Sequence, residues 1–260
     1  MLLTELHQLL DDLLLGAEHN PAGARADAVD PAINGLQVGR RGREVRRVAV
    51  AVDACAETFR RAADWGAELL LCHHGLFWGS TLPLVSNHGR RVQLLFDNDL
   101  SLYACHLPLD CHPTLGNNAR MADVLKLEDR QPFGEFRGVA IGCQGRLPQP
   151  VSVAEAAETL FGGQERCLSV LPFGTERVAT VGLVSGGGTR DVHAAIDADI
   201  DLFVTGDASH QMYHAAAEAR INVMSAGHYR SETFGVVAVG QLLERDTPLE
   251  TTFIDLETGL

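Results

Sequence analysis

Apolar residues recur along the chain with two spacings, one typical of helices and one typical of short buried strands. Leucines at positions 2, 3, 6, 9, 10, 13 and 14 predict an amphipathic helix over residues 2–15 that packs one face on a core. Farther along, apolar runs predict strands at 45–52, 68–72 and 100–105, and helical patterns predict helices at 54–65, 87–97 and 118–127. A strand, a helix and a strand in this order form a βαβ unit, whose strands pair in parallel through a right-handed crossover.

The second half of the chain continues the alternation of strands and helices. The pattern predicts strands at 137–144, 167–171, 178–184, 201–205, 222–225 and 250–256, and helices at 152–161, 189–198, 208–220 and 231–244. Alternating elements of this kind define the α/β fold class, here with two α/β lobes and mostly parallel sheets. Residues 130–150 are rich in Pro and Gly and are the predicted boundary between the lobes.

Composition and charge narrow the classes of function. The net charge of −13 disfavours a broad nucleic-acid-binding surface, because an acidic protein surface repels phosphate backbones. The arginines at positions 40, 41, 43, 46 and 47 form either a local basic patch or, as we favour, a solvated loop. No apolar stretch approaches the ~18 residues of a membrane span. Six cysteines without C-x-x-C spacing, and no recognisable signal peptide, favour a reducing, cytoplasmic location.

Histidines and carboxylates follow three of the predicted elements. His73 and His74 close the apolar run 68–72, Asp110 follows the strand at 100–105, and His228 and Glu232 stand four residues apart. Strand ends that meet at one edge of a sheet are where open α/β proteins build their sites. We therefore expect a dinuclear metal centre whose ligands are His73, His74, Asp110, His228 and Glu232. Imidazole and carboxylate donors suit Zn, Fe, Mn, Ni or Co rather than Ca or Mg.

Each part of this motif has a plainer explanation. The His pair could be a hydrogen-bonded structural pair, Asp110 could cap a turn, and H-x-x-x-E spacing arises by chance. The joint appearance of all three parts, each at an element end beside Gly or Pro, favours the metal centre. If a helix starts by His228, His228 and Glu232 share one face of it.

Further candidates lie near the same predicted strand ends. His106 precedes Asp110 and would orient a ligand or carry a proton, and His210 follows a strand-to-helix turn and could do the same. In that turn Asp207 could also simply cap the helix. The run Gly186-Gly187-Gly188 could bind a phosphate through its backbone N–H groups, or could be a tight structural turn, which we favour.

At these residues the sequence resembles the Nif-three-like dinuclear metal-centre proteins, often labelled GTP cyclohydrolase 1 type 2 homologues. The similar stretches run in the family's order and are 34–39 (NGLQVG), 72–78 (CHHGLFW), 106–113 (HLPLDCHP), 116–118 (GNN), 205–207 (TGD) and 227–232 (GHYRSE). Together they extend over most of the chain. The chain resembles the short form of the family, without the inserted domain of longer members.

The resemblance implies a cytoplasmic, toroidal homohexamer with two divalent metal ions per subunit, held by the five ligands named above. It implies a metal-bearing lobe of residues 1–133 plus 226–260 and a second lobe of residues 134–225. The label implies a metal-dependent hydrolase in which metal-activated water attacks a nucleotide-like substrate such as GTP. Few basic residues lie in the similar stretches to clamp a triphosphate, Arg230 being one of them.

Three functions therefore remain open from the sequence. The first is the hydrolase, in which His106 or His210 would move protons. The second is a metal-bearing oligomeric scaffold without turnover. The third is a di-iron redox protein, since the sequence does not choose among first-row metals.

Overall fold

The computed structural model describes residues 1–40 and 42–260, and its helices and strands alternate as an α/β protein requires. The helices are α1 (Leu3–Leu14), α2 (Pro21–Asp27), α3 (Ala56–Trp65), α4 (Ser86–Asp97), α5 (Leu107–Asp110), α6 (Asn117–Val124), α7 (Val153–Phe161), α8 (Val192–Asp197), α9 (His210–Ala219), α10 (His228–Ser231) and α11 (Thr233–Asp246). The strands are β1 (Gly35–Val38), β2 (Arg47–Asp53), β3 (Leu69–His74), β4 (Ser101–Ala104), β5 (Glu128–Phe136), β6 (Val139–Val151), β7 (Ser169–Pro172), β8 (Val178–Val184), β9 (Leu202–Thr205), β10 (Asn222–Ser225) and β11 (Glu250–Phe253). Two 3-10 turns cover Gln164–Arg166 and Thr189–Asp191.

The chain forms two compact units. The first unit contains residues 1–115 and 235–256, and the second contains residues 116–234 and 257–260. The sequence pattern instead predicted a boundary within residues 130–150, which lie inside the second unit, and the family resemblance implied boundaries at 133/134 and 225/226. Residues 116–133 belong to the second unit because Met121, Ala122 and Leu125 pack in its hydrophobic core.

The first unit is built on a sheet with strand order β1-β4-β3-β2-β11. All of its pairings are parallel except that of β1 with β4, as predicted for a mostly parallel sheet. Strand β3 is buried along Leu69–His73, the pattern of a central strand covered on both faces. Helix α3 ends at Gly66, whose φ of 83° gives the left-handed C-cap that lets the chain turn back into β3.

Helix α1 buries one face, as its leucine spacing predicts. Leu3, Leu6, Leu10 and Leu14 are each at most 1% exposed, whereas Leu9 remains 36% exposed. Burial of four leucine side chains is worth roughly 1.5–3 kcal/mol each relative to exposure in water. The core of this unit therefore fixes the ends of β3 and β4, which carry the histidines.

The second unit differs from the prediction of a mostly parallel sheet. Its strand order is β5-β6-β8-β9-β10-β7, and only the β8–β9 and β9–β10 pairings are parallel. Strands β5 and β6 form a hairpin because Arg137 and Gly138 both adopt positive φ, which allows a tight turn. The two edges of this sheet are β5 and β7, and each contains a proline, Pro132 and Pro172 respectively.

The arginines before β2 are engaged with carboxylates, in agreement with a solvated loop. Arg40 and Arg43 pair with Asp99, and Arg46 and Arg47 pair with Glu44 and Glu250 at 2.9 and 3.0 Å. The fifth arginine of the cluster, Arg41, lies outside the described residues. Within residues 1–40 and 42–260 no helix combines the length and the apolar character that a membrane crossing needs.

Candidate metal centre

Three histidines of the first unit meet at the carboxyl ends of two parallel strands. His73 and His74 are the last residues of β3, and His106 follows β4, whose Ala104 is in register with Cys72. One ring nitrogen from each of the three lies within 4.8 Å of the others. His73 is fully buried, and the side chain of His74 is 18% exposed. The side chain of His106 is 17% exposed, so the cluster as a whole is largely shielded from solvent.

Asp110 lies beside this cluster, but on a helix rather than at a strand end. The single turn α5 carries it back toward β3, so that Asp110 Oδ2 lies 3.5 Å from His73 Nε2. Pro108 favours this turn because its fixed φ suits the first turn of a helix. Asp110 is only 7% exposed, so its carboxylate is directed into the cluster and not into solvent.

The Nδ1 atom of each histidine in the cluster contacts a fixed oxygen. His74 Nδ1 lies 2.8 Å from Asp53 Oδ1, His106 Nδ1 lies 2.8 Å from Asp30 Oδ1, and His73 Nδ1 lies 3.0 Å from the carbonyl of Cys105. Because carboxylate and carbonyl oxygens accept, each Nδ1 donates its hydrogen, and the lone pair of the neutral ring stands on Nε2. Oxygen partners of this kind orient metal-binding imidazoles in proteins and raise their basicity.

Asp30 is held as a carboxylate by several donors. Burial raises the pKa of Asp30, but the hydrogen bond and charge of His106, with the N–H of Ala32 and the amide of Asn34, outweigh burial and hold the pKa below its usual value. Its Oδ2 also accepts from the Leu107 N–H at 2.9 Å. Asp30 therefore ties His106 to the start of α5.

The second unit carries a histidine and a glutamate on the short helix α10. The helix starts at His228 and Glu232 caps it, so the two side chains share one face, with His228 Nε2 3.2 Å from Glu232 Oε1. This confirms the sequence-based expectation for an i,i+4 pair. His228 Nδ1 lies 2.8 Å from Asp207 Oδ1, repeating the pattern of the first unit. Glu232 is only 3% exposed, although it is a carboxylate.

The electrostatics of this pair favour a positive charge between Nε2 and the glutamate. The hydrogen bond to Glu232 raises the pKa of His228 to about 9 against the opposing effect of burial, and Asp207 contributes further. A cation at the same place would satisfy both lone pairs. With the Nδ1 hydrogen directed at Asp207, either a second proton on Nε2 or a metal ion is needed between Nε2 and Glu232 Oε1, because two acceptor atoms in contact repel each other.

The triglycine loop covers the His228–Glu232 pair. Gly186 has a φ of 60°, and a Cβ at this position would lie 2.1 Å from Glu232 Oε1 and 3.1 Å from His228 Nε2. The Gly186 N–H donates to Ser231 Oγ at 2.9 Å, and its carbonyl accepts from the N–H groups of Gly206 and Asp207. Only glycine provides both the backbone conformation and the space, which supports the structural role favoured from the sequence.

The donor atoms present fit a divalent first-row metal ion. Ligand distances of about 2.0–2.1 Å in tetrahedral geometry place neighbouring donor atoms about 3.3 Å apart. The Nε2–carboxylate separations of 3.5 Å at His73 and 3.2 Å at His228 match this spacing. Imidazole nitrogens mixed with carboxylate oxygens suit the same metals that the sequence predicted.

The structure places the other predicted residues differently. His106 belongs to the histidine cluster itself, whereas the sequence assigned it a supporting or proton-carrying role. His210 is exposed at the start of α9, and its ring lies 6.0 Å from that of His214. Asp207 does not cap α9, because Ser209 occupies the N-cap position, and instead holds His228.

Sequence reasoning missed three aspartates that orient the histidines, Asp30, Asp53 and Asp207. Asp53 could have been found, because it ends β2 directly beside His74 in the parallel register. Asp207 follows β9 and was weighed only as a cap. Asp30 lies in the turn before Pro31, where nothing in the sequence connects it with His106.

One histidine near the cluster has a purely structural role. His112 is 3% exposed, its Nε2 donates to the carbonyl of Leu13 at 3.2 Å, and its Nδ1 accepts from the N–H of Leu115 at 3.1 Å. Burial lowers the pKa of His112 to about 4, which keeps the ring neutral as these bonds require. It fastens the segment after α5 to the end of α1.

The fold and the donor sets define a class: a two-unit α/β protein with candidate His and carboxylate metal-binding clusters. The family described as Duf34/NIF3 (NGG1p interacting factor 3) matches residues 22–259. The chain belongs to the DUF34/NIF3 family.

Similar proteins agree with this assignment. The chain is 41% identical to a GTP cyclohydrolase 1 type 2 homolog of Archaeoglobus fulgidus, with all of both chains covered. It is 40% identical to the protein of that name from Treponema pallidum, with 89% of this chain and 92% of the relative covered. Among solved structures, the protein ybgI, of unknown function, has a TM-score of 0.87 at 32% identity, and TTHA1606 from Thermus thermophilus has 0.83 at 40%. Both of these comparisons cover the whole of each chain.

Proposed function

We propose that this protein binds two divalent first-row metal ions and uses them to hydrolyse a nucleotide-like substrate, in the manner that the name GTP cyclohydrolase 1 type 2 homolog suggests for its relatives. One observation supports the proposal most directly. Four histidines have Nδ1 against a fixed oxygen, and in two of them Nε2 lies 3.2–3.5 Å from a buried carboxylate. Such pre-oriented donors are costly to bury unless a cation uses them.

The proposed ligands are the five chosen from the sequence, His73, His74, Asp110, His228 and Glu232, with His106 as a further donor because it stands in the histidine cluster. When bound, the two ions would supply Lewis acidity and lower the pKa of water to near neutrality. Asp53, Asp30 and Asp207 would hold the Nδ1 hydrogens of His74, His106 and His228, which leaves Nε2 of each ring as the atom that binds a metal ion.

The proposed reaction also needs a group that transfers protons. We keep His210 as the proposed proton carrier, since its side chain is exposed and can exchange protons with solvent. We expect His210→Gln to lower turnover while leaving metal content unchanged. Equal turnover in the variant would remove this role from His210.

The decisive experiment measures metal content and turnover on the same samples. We expect about two metal ions per chain in tag-free protein by elemental mass spectrometry, and fewer in Glu232→Gln. Glu128→Gln is the matched control, because Glu128 is exposed on β5. Hydrolysis of a nucleotide panel that includes GTP, followed by chromatography, should fall in parallel with the lost metal.

Other outcomes identify the alternatives. Metal-loaded protein that hydrolyses no member of the panel, yet loses its assembly on chelation, would be a metal-bearing scaffold. Iron in aerobically purified protein with a ligand-to-metal absorption band would indicate redox chemistry. The proposal includes homohexameric assembly in the cytoplasm, and light scattering coupled to size-exclusion chromatography measures the assembly.

A further inference from the structure

A polar cavity of about 370 Å³ lies in the second unit, between the segment that starts α8 and the start of α9. Its polar lining consists of Thr189, Arg190, His193, Ser209 and Gln211. Two apolar side chains complete the wall. The volume is within the range of small-molecule sites, which begins at about 300 Å³.

The cavity offers positive charge and hydrogen-bond donors, and no carboxylate lines it. Within the described ranges 1–40 and 42–260, neither Arg190 nor His193 forms an ion pair with an acidic residue. The Ser209 hydroxyl makes no capping bond to α9, so it remains able to donate into the cavity. The chain has a net charge of −13, yet the residues that line this cavity include an arginine and no carboxylate.

The other cavities do not share this character. In one cavity, Arg230 faces Glu257, with which it pairs, and Arg166 lies beside Glu165. In another, Arg40 pairs with Asp99. Carboxylates thus line both of these cavities, whereas none lines the cavity that contains Arg190.

Each wall of the cavity is formed by a chain segment that, two residues earlier, lies beside the His228 side chain. The triglycine loop passes His228 at Gly187, where a Cβ would lie 3.5 Å from Asp207 Oδ2 and 4.0 Å from His228 Cε1. Two residues later the same loop enters the cavity at Thr189, a step of at most about 7 Å. The opposite wall begins at Ser209, two residues after Asp207. The cavity therefore lies within two residues of segments that contact the His228 side chain.

We propose that this cavity binds the phosphate group of a phosphorylated small molecule, with Arg190 as the main anion-binding residue and His193, Thr189 and Ser209 as further donors. This inference rests on the proposed function, because the bound phosphate would belong to the nucleotide-like substrate of that reaction. An arginine is suited to this task, since its planar guanidinium donates two parallel hydrogen bonds to one phosphate. Phosphate binding itself can be measured whether or not the protein is a hydrolase.

The test is calorimetric titration of inorganic phosphate into the full-length protein, both metal-loaded and after chelation. We expect binding in both forms, weakened about 10- to 100-fold in Arg190→Gln and less in Arg190→Lys, which keeps the charge but loses the planar fork. Arg146→Gln is the matched control, because Arg146 is exposed on β6 and outside the cavity. A nucleoside monophosphate that binds more tightly than phosphate, while the bare nucleoside does not bind, would show that the ligand is an organic phosphate.

Failure of this inference differs from failure of the proposed function. Absence of phosphate binding in both forms, or equal affinity in Arg190→Gln, overturns the cavity site. Binding that needs metal and ignores Arg190 places phosphate on the ions, which also overturns it and leaves the proposed function standing. Arg190-dependent binding by a protein that holds no metal supports the cavity while the proposed function fails.

Discussion

Replacement of Gly186 by alanine tests whether the triglycine loop holds Glu232 in place. The new Cβ would lie 2.1 Å from Glu232 Oε1, and Glu232 is only 3% exposed, so its carboxylate has little room to move away. We therefore expect Gly186→Ala to break the His228–Glu232 contact and to weaken metal binding.

The expected loss of unfolding free energy in Gly186→Ala has two parts. A left-handed residue other than glycine costs about 1–2 kcal/mol, offset by about 0.4–1 kcal/mol from the reduced entropy of the unfolded chain. Loss of a hydrogen bond to a charged group adds about 1.5–3 kcal/mol. The sum is roughly 2–4 kcal/mol, and at about 2–4 °C per kcal/mol the apparent Tm should fall by roughly 4–16 °C.

The matched control separates these two parts. Gly138 also has a positive φ, of 83°, but a Cβ there would have nothing within 4 Å. Gly138→Ala therefore reports the backbone cost alone, and its Tm should change by only a few degrees. Differential scanning calorimetry and chelator competition on both variants complete the assay. If Gly186→Ala resembled Gly138→Ala in both Tm and metal affinity, the steric argument would be refuted.

Three further predictions follow from individual side-chain contacts in the structure. Asp53→Asn should weaken metal affinity about 10- to 100-fold in chelator competition, because His74 loses its carboxylate partner, whereas the exposed Asp97→Asn should bind as the native protein does. His112→Ala should lower the free energy of unfolding by roughly 2–4 kcal/mol in urea titration, since buried backbone groups lose their partners; a change under about 0.5 kcal/mol would contradict this. Ser152→Ala removes the capping box of α7, in which Ser152 and Glu155 bond to each other's backbone N–H groups, and should lower the free energy of unfolding by about 1 kcal/mol in urea titration. The metal content should not change, and a loss of metal would contradict a purely structural role of the cap.

The sequence predicted the elements whose apolar pattern is continuous. The leucine face of α1, the buried β3 and the αβ alternation through β8 to β10 were all readable, because burial on one or both faces leaves a period in the sequence. Strand β5 was not predicted because its first five residues are exposed and four of them are polar, so no apolar period marks it. The antiparallel pairings of the second sheet were therefore not predicted either.

At the candidate metal centre, too, the sequence predicted residues marked by a local pattern and missed partners that come from distant parts of the chain. Residues such as His73 and His228 stand beside Gly or at strand ends, where sequence and position both point to them. The partners of their Nδ1 atoms come from separate elements: Asp207 is 21 residues from His228, and Asp30 is 76 residues from His106. Only the parallel pairing of β9 with β10 and the folded turn before Pro31 bring these pairs together.

The prolines at both edges of the second sheet have a consequence for how the protein behaves at high concentration. Pro132 in β5 and Pro172 in β7 each lack the N–H that another strand would need for a continuous ladder. Strand β5 adds charged residues at Glu128, Asp129 and Arg130, which a docking strand would have to desolvate. Both edges are thus poor templates for an added strand, and a change such as Pro132→Val should favour edge-to-edge aggregation at β5.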